Sequence, residues 1–326
     1  MAEVDLKQMQ DSTVILMHDF NLGRTTNIDN YCRAITGSED CPDKPFDPYR
    51  GAGFNPEVKA ISWFTLERYQ VRLKDYDRIP TSDRPPTLDQ LLQAVSTSKP
   101  IVLLLDIKDA KTTTDAWQSV NKYKNSYGTL AYKWVIFKLN ATIYPNPHVL
   151  ETDLRLIECD PIGCGVTPNY DHFLFIPVFT SNMTTKINCI NTYNSYKDKT
   201  YIVTAEVNLK DHNGRNLDVY NAITNKGTVM LIFHAVPDAS KAQGIFFKNT
   251  GASVYTLKDL LEPGETIDRR SNLNFILGLN FKSITSDDPI GVMSRVFSNP
   301  LMVHDNPHLL MKTTKQHGMG IHQRAI

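Results

Sequence analysis

The chain has 326 residues, 41% of them hydrophobic and 21% charged, enough apolar surface for a sizeable core and a length that single α/β barrels often reach. Its 35 basic residues balance 35 acidic ones, so the zero formal charge removes the bulk electrostatic argument for a nucleic-acid or polybasic membrane partner. No stretch offers the ~18 apolar residues of a transmembrane helix, and the first residues lack the basic start, apolar run and cleavage site of a signal peptide.

Residues 1–6 alternate acids with apolar residues, as the middle of a strand does. That alternation puts Glu3 and Asp5 on one face, where two carboxylates repel unless something positive lies between them. A hard cation suits such a pair, although a solvated edge strand has the same pattern. The run Val14-Ile-Leu-Met17 then delivers His18 and Asp19 at a strand end, followed by Gly23-Arg24-Thr25-Thr26-Asn27, whose side chains are donors suited to a phosphate. Cys32 and Cys41 flank a polar, loop-like stretch. Thr87, after two prolines and three residues before Gln90, reads as the cap of a helix over 87–95.

Ile101-Val-Leu-Leu-Leu-Asp106 is a buried-strand pattern. It ends in Asp106, with Lys108 two residues on and on the same face, a pairing that fits either a salt bridge or a metal beside an anionic oxygen. Further short apolar runs at 134–137, 173–178, 201–204, 228–233 and within 275–284 read as strands, and 113–127 and 217–225 as amphipathic helices. Strand and helix alternating along the chain predict a parallel α/β fold, and with residues 1–6 the barrel-type strands number seven. Lys138, Glu206 and His234 fall at or just after strand ends and read as surface or salt-bridge residues that could line a pocket mouth. Cys159 and Cys164 bracket a turn signal. Two loop disulfides and a leftover Cys189, with glycosylation acceptor triplets at Asn140 and Asn182, fit a secreted protein; the disulfide connectivity stays open. The region from about residue 297 has no clear period.

It is the order of these pieces that resembles a family. Glu-x-Asp at 3–5, Asp11 at a turn, Val-Ile-Leu-Met-His-Asp and Gly-Arg-Thr-Thr-Asn are similar to the start of glycerophosphodiester phosphodiesterases. Arg84-Pro-Pro-Thr-Leu-Asp-Gln, Leu104-Leu-Asp106-Ile-Lys108 and Ser283-Ile-Thr-Ser-Asp-Asp-Pro289 continue the likeness. The resemblance implies a TIM-type (β/α) barrel of the PLC-like phosphodiesterase kind over residues 1–295, with a C-terminal helix or tail over 296–326. It implies that Glu3, Asp5 and Asp106 hold a divalent cation, Ca2+ or Mg2+, and that His18 acts as nucleophile or general acid/base. Lys108 and Arg24 would neutralise phosphate charge. The implied substrate is a small glycerophosphocholine-like phosphodiester, cleaved to glycerol 3-phosphate and an alcohol.

The sequence departs from the pattern twice. Asp106 stands where the family has Glu, as in the related sphingomyelinase D-like phospholipases, which form a cyclic phosphate instead. The family's first strand, ending in His-Arg-Gly, is not found before Glu3, so the expected barrel lacks its first strand and helix. Gly318-Met-Gly-Ile-His322-Gln-Arg324 faintly echoes that motif but reads as a disordered tail. A catalytically inactive or binding-only relative is therefore the alternative to an enzyme.

Overall fold

The computed structural model describes residues 1–75, 77–158, 172–225, 230–279, 281, 283–297 and 310–312. The strands, in chain order, are β1 (Ala2–Gln8), β2 (Val14–Leu16), β3 (Leu103–Ile107), β4 (Val135–Asn140), β5 (Phe175–Phe179), β6 (Ala205–Val207), β7 (Met230–His234), β8 (Ile245–Phe247), β9 (Val254–Thr256), β10 (Ser283–Ser286) and β11 (Leu310–Lys312). The helices are α1 (Cys32–Thr36), α2 (Trp63–Arg68), α3 (Leu88–Ser96), α4 (Ala110–Val120), α5 (Pro147–Glu158), α6 (Cys189–Tyr196), α7 (Leu217–Asn225), α8 (Leu273–Leu277) and α9 (Pro289–Phe297). They form two compact units. Described residues within Met1–Glu3, Val95–Val236 and Leu257–Thr314 make the first, and Val4–Ala94 with Pro237–Thr256 make the second.

The first unit is an α/β half-barrel. Its sheet runs β11-β10-β7-β6-β5-β4-β3, with the start of β1 beside β3. All the pairings from β3 to β11 are parallel. Parallel strands are joined by crossovers whose helices cover the sheet, so the strands bury both faces. β3 and β5 are buried along their whole length. On the helix side, Trp117 of α4 meets Phe137 and Phe173 edge-on, and Phe175 meets Tyr196 of α6. On the other face, Leu104, Ile136, Ile176 and Leu231 form an apolar floor with Met1 and Leu174 packed against it.

The sheet has to curl. Glu3 on β1 and Glu206 on β6 both lie within 3.0 Å of the Lys138 ammonium. Across a flat sheet four strand spacings would hold their backbones roughly 19 Å apart.

The second unit packs the remainder of β1 antiparallel to β2, with Leu6 opposite Leu16. Met9, Ile15, Met17, Leu22, Ile28, Val58, Ile61, Leu66 and Val71 form its core. The predicted capping box is present: Gln90 N–H donates to Thr87 Oγ1 and Thr87 N–H to Gln90 Oε1. Cys32 and Cys41 form a disulfide. Among the described residues Cys189, in the first unit, is a buried free thiol that burial, with Asp218 adding, pushes up to about 11. Cys159 and Cys164 lie outside the described residues.

Several elements differ from the sequence reading. The helix expected over 113–127 starts earlier, at an Asp109 cap whose side chain accepts from Thr112 N–H, and ends at Val120. The strand expected at 201–204 lies at β6 instead. Tyr201 and Ile202 make only the approach, Tyr201 accepting from Phe175 N–H, because the sheet continues through the charged Glu206 that hydropathy disfavours. The 275–284 run divides into α8, capped by Asn272, and β10. Residues 228–229 of the predicted strand lie outside the described residues, and β7 starts at Met230. The C-terminal region contains α9 and the short β11 beside β10. His304, His308, His317, His322 and Arg324 lie outside the described residues.

One glycine fixes the second unit. At Gly251, beyond β8, φ is +66°, and an added Cβ would lie 2.7 Å from Asp19 Oδ2 and 2.9 Å from Arg24 Cβ. Gly244 has the same φ of +66° with nothing within 4 Å. Gly251→Ala should therefore destabilise by about 2 kcal/mol or more, and Gly244→Ala by about 1 kcal/mol. Equal losses of thermal stability in the two variants would show that the close approach at Gly251 carries no weight.

Candidate active site

Strand alternation sends the side chains at 104, 106, 136 and 138 to the same face of the first unit's sheet, the earlier member of each pair on the apolar floor and the later one above it. Glu3 stands above Met1 in the same way. Above the floor the side chains are charged. Lys138 donates to Glu3 Oε1 and Oε2, both at 3.0 Å, and pairs with Glu206 Oε2 at 2.9 Å. Asp106 Oδ2 is 3.8 Å from the same ammonium. Lys108, a third exposed, donates to Asp106 Oδ1 at 2.6 Å. Thr285 Oγ1 donates to Glu206 Oε2 at 3.4 Å.

Three carboxylates against two ammonium groups leave this cluster one net negative charge. Buried charges persist only when paired and hydrogen-bonded, and Lys138, at 3% side-chain exposure, meets that condition through all its acceptors.

The structure thus brings together Glu3, Asp106 and Lys108. It adds Lys138 and Glu206, which the sequence reading placed at the surface or in a salt bridge. Both are buried, because each neutralises the other inside the curl. The available signal was their position: each follows a short apolar run at the same point as Asp106 does. His234, also read as a surface or salt-bridge residue, is buried. Its Nδ1 lies 2.8 Å from Ser286 Oγ, and burial lowers its pKa despite the opposing influence of the Ser271 backbone and Asp288.

The second unit holds Asp5, half-buried on β1, and a chain of three linked side chains. His18 follows β2, as expected, and its Nδ1 is 2.9 Å from Asp19 Oδ1. Arg24 grips Asp19 with Nε at 2.6 Å and Nη2 at 2.7 Å, and its guanidinium lies 4.9 Å from the centre of the Phe247 ring. Arg24 also lines a cavity of about 160 Å³ with Tyr49, Lys74, Arg78 and Asp238. Burial pushes the Asp19 carboxyl up, but the charge of Arg24 and hydrogen bonds from His18 and Arg24 outweigh it and hold the carboxyl at about 2. An ionised Asp19 can only accept, so the His18 nitrogen facing it carries a proton, and in the neutral imidazole Nε2 is then the acceptor.

The donor chemistry around Lys138 fits a hard divalent cation: Glu3 and Asp106 offer only oxygens, they converge, and their cluster stays negative with both lysines charged. Among the described residues there is no group of three or more His, Cys, Asp or Glu set out for a metal, and the Lys138 ammonium stands amid the carboxylates.

A curled parallel sheet with charged side chains clustered above an apolar floor defines an α/β half-barrel scaffold. The model of the glycerophosphoryl diester phosphodiesterase family matches residues 1–159. Two solved structures of glycerophosphoryl diester phosphodiesterases from Parabacteroides distasonis are similar. The first, at 17% identity and TM-score 0.49, covers 91% of this chain and 75% of its own. The second, at 12% identity and TM-score 0.44, covers 91% and 83%. A protein from Agrobacterium tumefaciens titled a putative member is 10% identical, with TM-score 0.44 and coverage of 90% and 83%. At these values the fold assignment rests on the strand order above. No curated protein matches the sequence.

The depressed Asp19 carboxyl makes a linkage prediction. Its contribution is present above the ordinary carboxylate value of 3.8 and is lost as pH falls toward about 2. A shift of this size is worth about 2 kcal/mol. In urea unfolding followed from pH 5 to pH 2, Asp19→Asn should be less stable near neutrality and should lose less stability over the acid limb. An acid limb unchanged in the variant would remove Asp19 as its source.

Proposed function

We propose that this protein hydrolyses a small glycerophosphodiester, glycerophosphocholine-like, to glycerol 3-phosphate and an alcohol with the help of Ca2+ or Mg2+. The observation that carries the reading is the convergence of Glu3, Asp106, Lys108 and Lys138, all within the residues 1–159 that match the family model, with Glu206 joining them from β6. Glu3 and Asp106 would hold the cation, together with Asp5, which the Glu-x-Asp pattern assigns to the same face of β1. When bound, the cation supplies Lewis-acid stabilisation of phosphate charge.

The chain's own residues do the rest. In hydrolysis a water oxygen gives up a proton and bonds to phosphorus, the bond from phosphorus to the leaving alcohol oxygen breaks, and that oxygen takes up a proton. Lys108, partly exposed on the rim of the cluster, can neutralise a phosphate oxygen as charge builds. His18 presents Nε2 for nucleophilic or acid/base work. Asp19 fixes its tautomer, and Arg24 fixes Asp19, so we assign Arg24 a positioning role in addition to the phosphate role its sequence context implies. The Cys32–Cys41 disulfide and the exposed Asn182 of an acceptor triplet support an extracellular location.

The assay is release of glycerol 3-phosphate from glycerophosphocholine with and without added Ca2+ or Mg2+. His18→Ala should keep cation binding and lower turnover about 10³-fold. Asp5→Asn should abolish cation binding, read by calorimetry, while leaving the thermal transition largely in place. No turnover at any cation concentration, with binding intact, would favour a binding-only relative. A cyclic phosphate product from a lysophospholipid would move the protein to the sphingomyelinase D-like branch.

A further inference from the structure

Lys138 stands where a cation for Glu3 would have to compete. An ammonium has three N–H donors. Acceptors within hydrogen-bond distance include Glu3 Oε1, Glu3 Oε2 and Glu206 Oε2, while Asp106 Oδ2 is farther, at 3.8 Å. Lys138 therefore engages Glu3 through both oxygens, whereas Asp106 is drawn toward Lys108 at 2.6 Å. A divalent cation taking Glu3 meets a fixed positive charge a few ångströms away. The apolar floor formed by Leu104, Ile136, Ile176 and Leu231 lies beneath, so solvent screens that repulsion poorly.

Glu206 offers a way out. It is 1% exposed and is not one of the carboxylates that the Glu-x-Asp and Asp-x-Lys patterns assign to the cation. It gives the ammonium a second anchor that stays in place when Glu3 changes partner.

We infer that Lys138 is a resident counter-ion that competes with a divalent cation for Glu3 and is held by Glu206 once the cation binds. This rests on the cation-dependent reading of the same site. Lys138 is thus a positioning residue that sets cation affinity, and the unliganded carboxylates keep their places because the ammonium holds them.

The test is calorimetric titration of Mg2+ and of Ca2+ into the full chain, with thermal unfolding of each variant measured first. Lys138→Met should bind at least tenfold more tightly than the unaltered protein. Because that variant leaves buried carboxylates uncompensated and can fail to fold, the pair Lys138→Gln with Glu206→Gln is measured beside it. The pair removes one charge of each sign, and it should still bind at least threefold more tightly. Asp106→Asn should bind weakly or not at all. Equal or weaker binding by the lysine variants, with loss in Asp106→Asn, would overturn the competition and leave the cation reading standing. Tighter binding by Lys138→Met with no change in the pair would assign the effect to net charge and also overturn it. Absence of binding in every chain would overturn both the inference and the cation reading.

Discussion

The ammonium of Lys138 is the point around which the first unit is arranged. One atom holds carboxylates from β1 and β6 and lies close to a third from β3. That contact ties distant strands of one sheet together, and it is possible only if the sheet bends. Curl and charge cluster are therefore two descriptions of the same constraint. Removing one partner of such a buried set typically costs about 3–5 kcal/mol, because the remaining charges lose compensation.

The second unit solves a different problem with a similar device. Its core is small, and its polar side chains are organised by a buried acid rather than a buried base. Asp19 is gripped from one side by Arg24 and offers its other oxygen to His18, so a single carboxylate fixes both an arginine and an imidazole. The hairpin of β8 and β9 closes over this pair through the backbone near Gly251, where a side chain has no room. A residue far along the chain thereby shapes the surroundings of His18.

Much of this was legible in the sequence. The strands β3, β4, β5 and β7 are apolar runs, and Thr87 with Gln90 announced a helix start. Glu3, Asp5, Asp106 and Lys108 could be grouped only through the family resemblance that the order of their short motifs carries. Glu206 could not. It lies in a three-residue strand with a charged centre, and hydropathy alone moves that strand four residues earlier, onto Tyr201–Thr204. Lys138 was read as a surface or salt-bridge residue that could line a pocket mouth, because a lysine at a strand end is usually solvated. What makes it interior is the acid on β6, so neither residue is interpretable without the other. Arg24 was grouped with the phosphate donors by its neighbours Thr25 and Thr26, while its hold on Asp19 depends on a turn that the spacing leaves undefined.

The apolar floor under the charged layer also has an electrical role. Hydrocarbon beneath the charges makes a dielectric boundary, and the field of the cluster spreads mainly away from the floor. The identity of Leu104, Ile136, Ile176 and Leu231 therefore governs how strongly the charges above them act. A polar replacement there would admit water and weaken every ion pair in the layer at once, although none of the charged residues had changed.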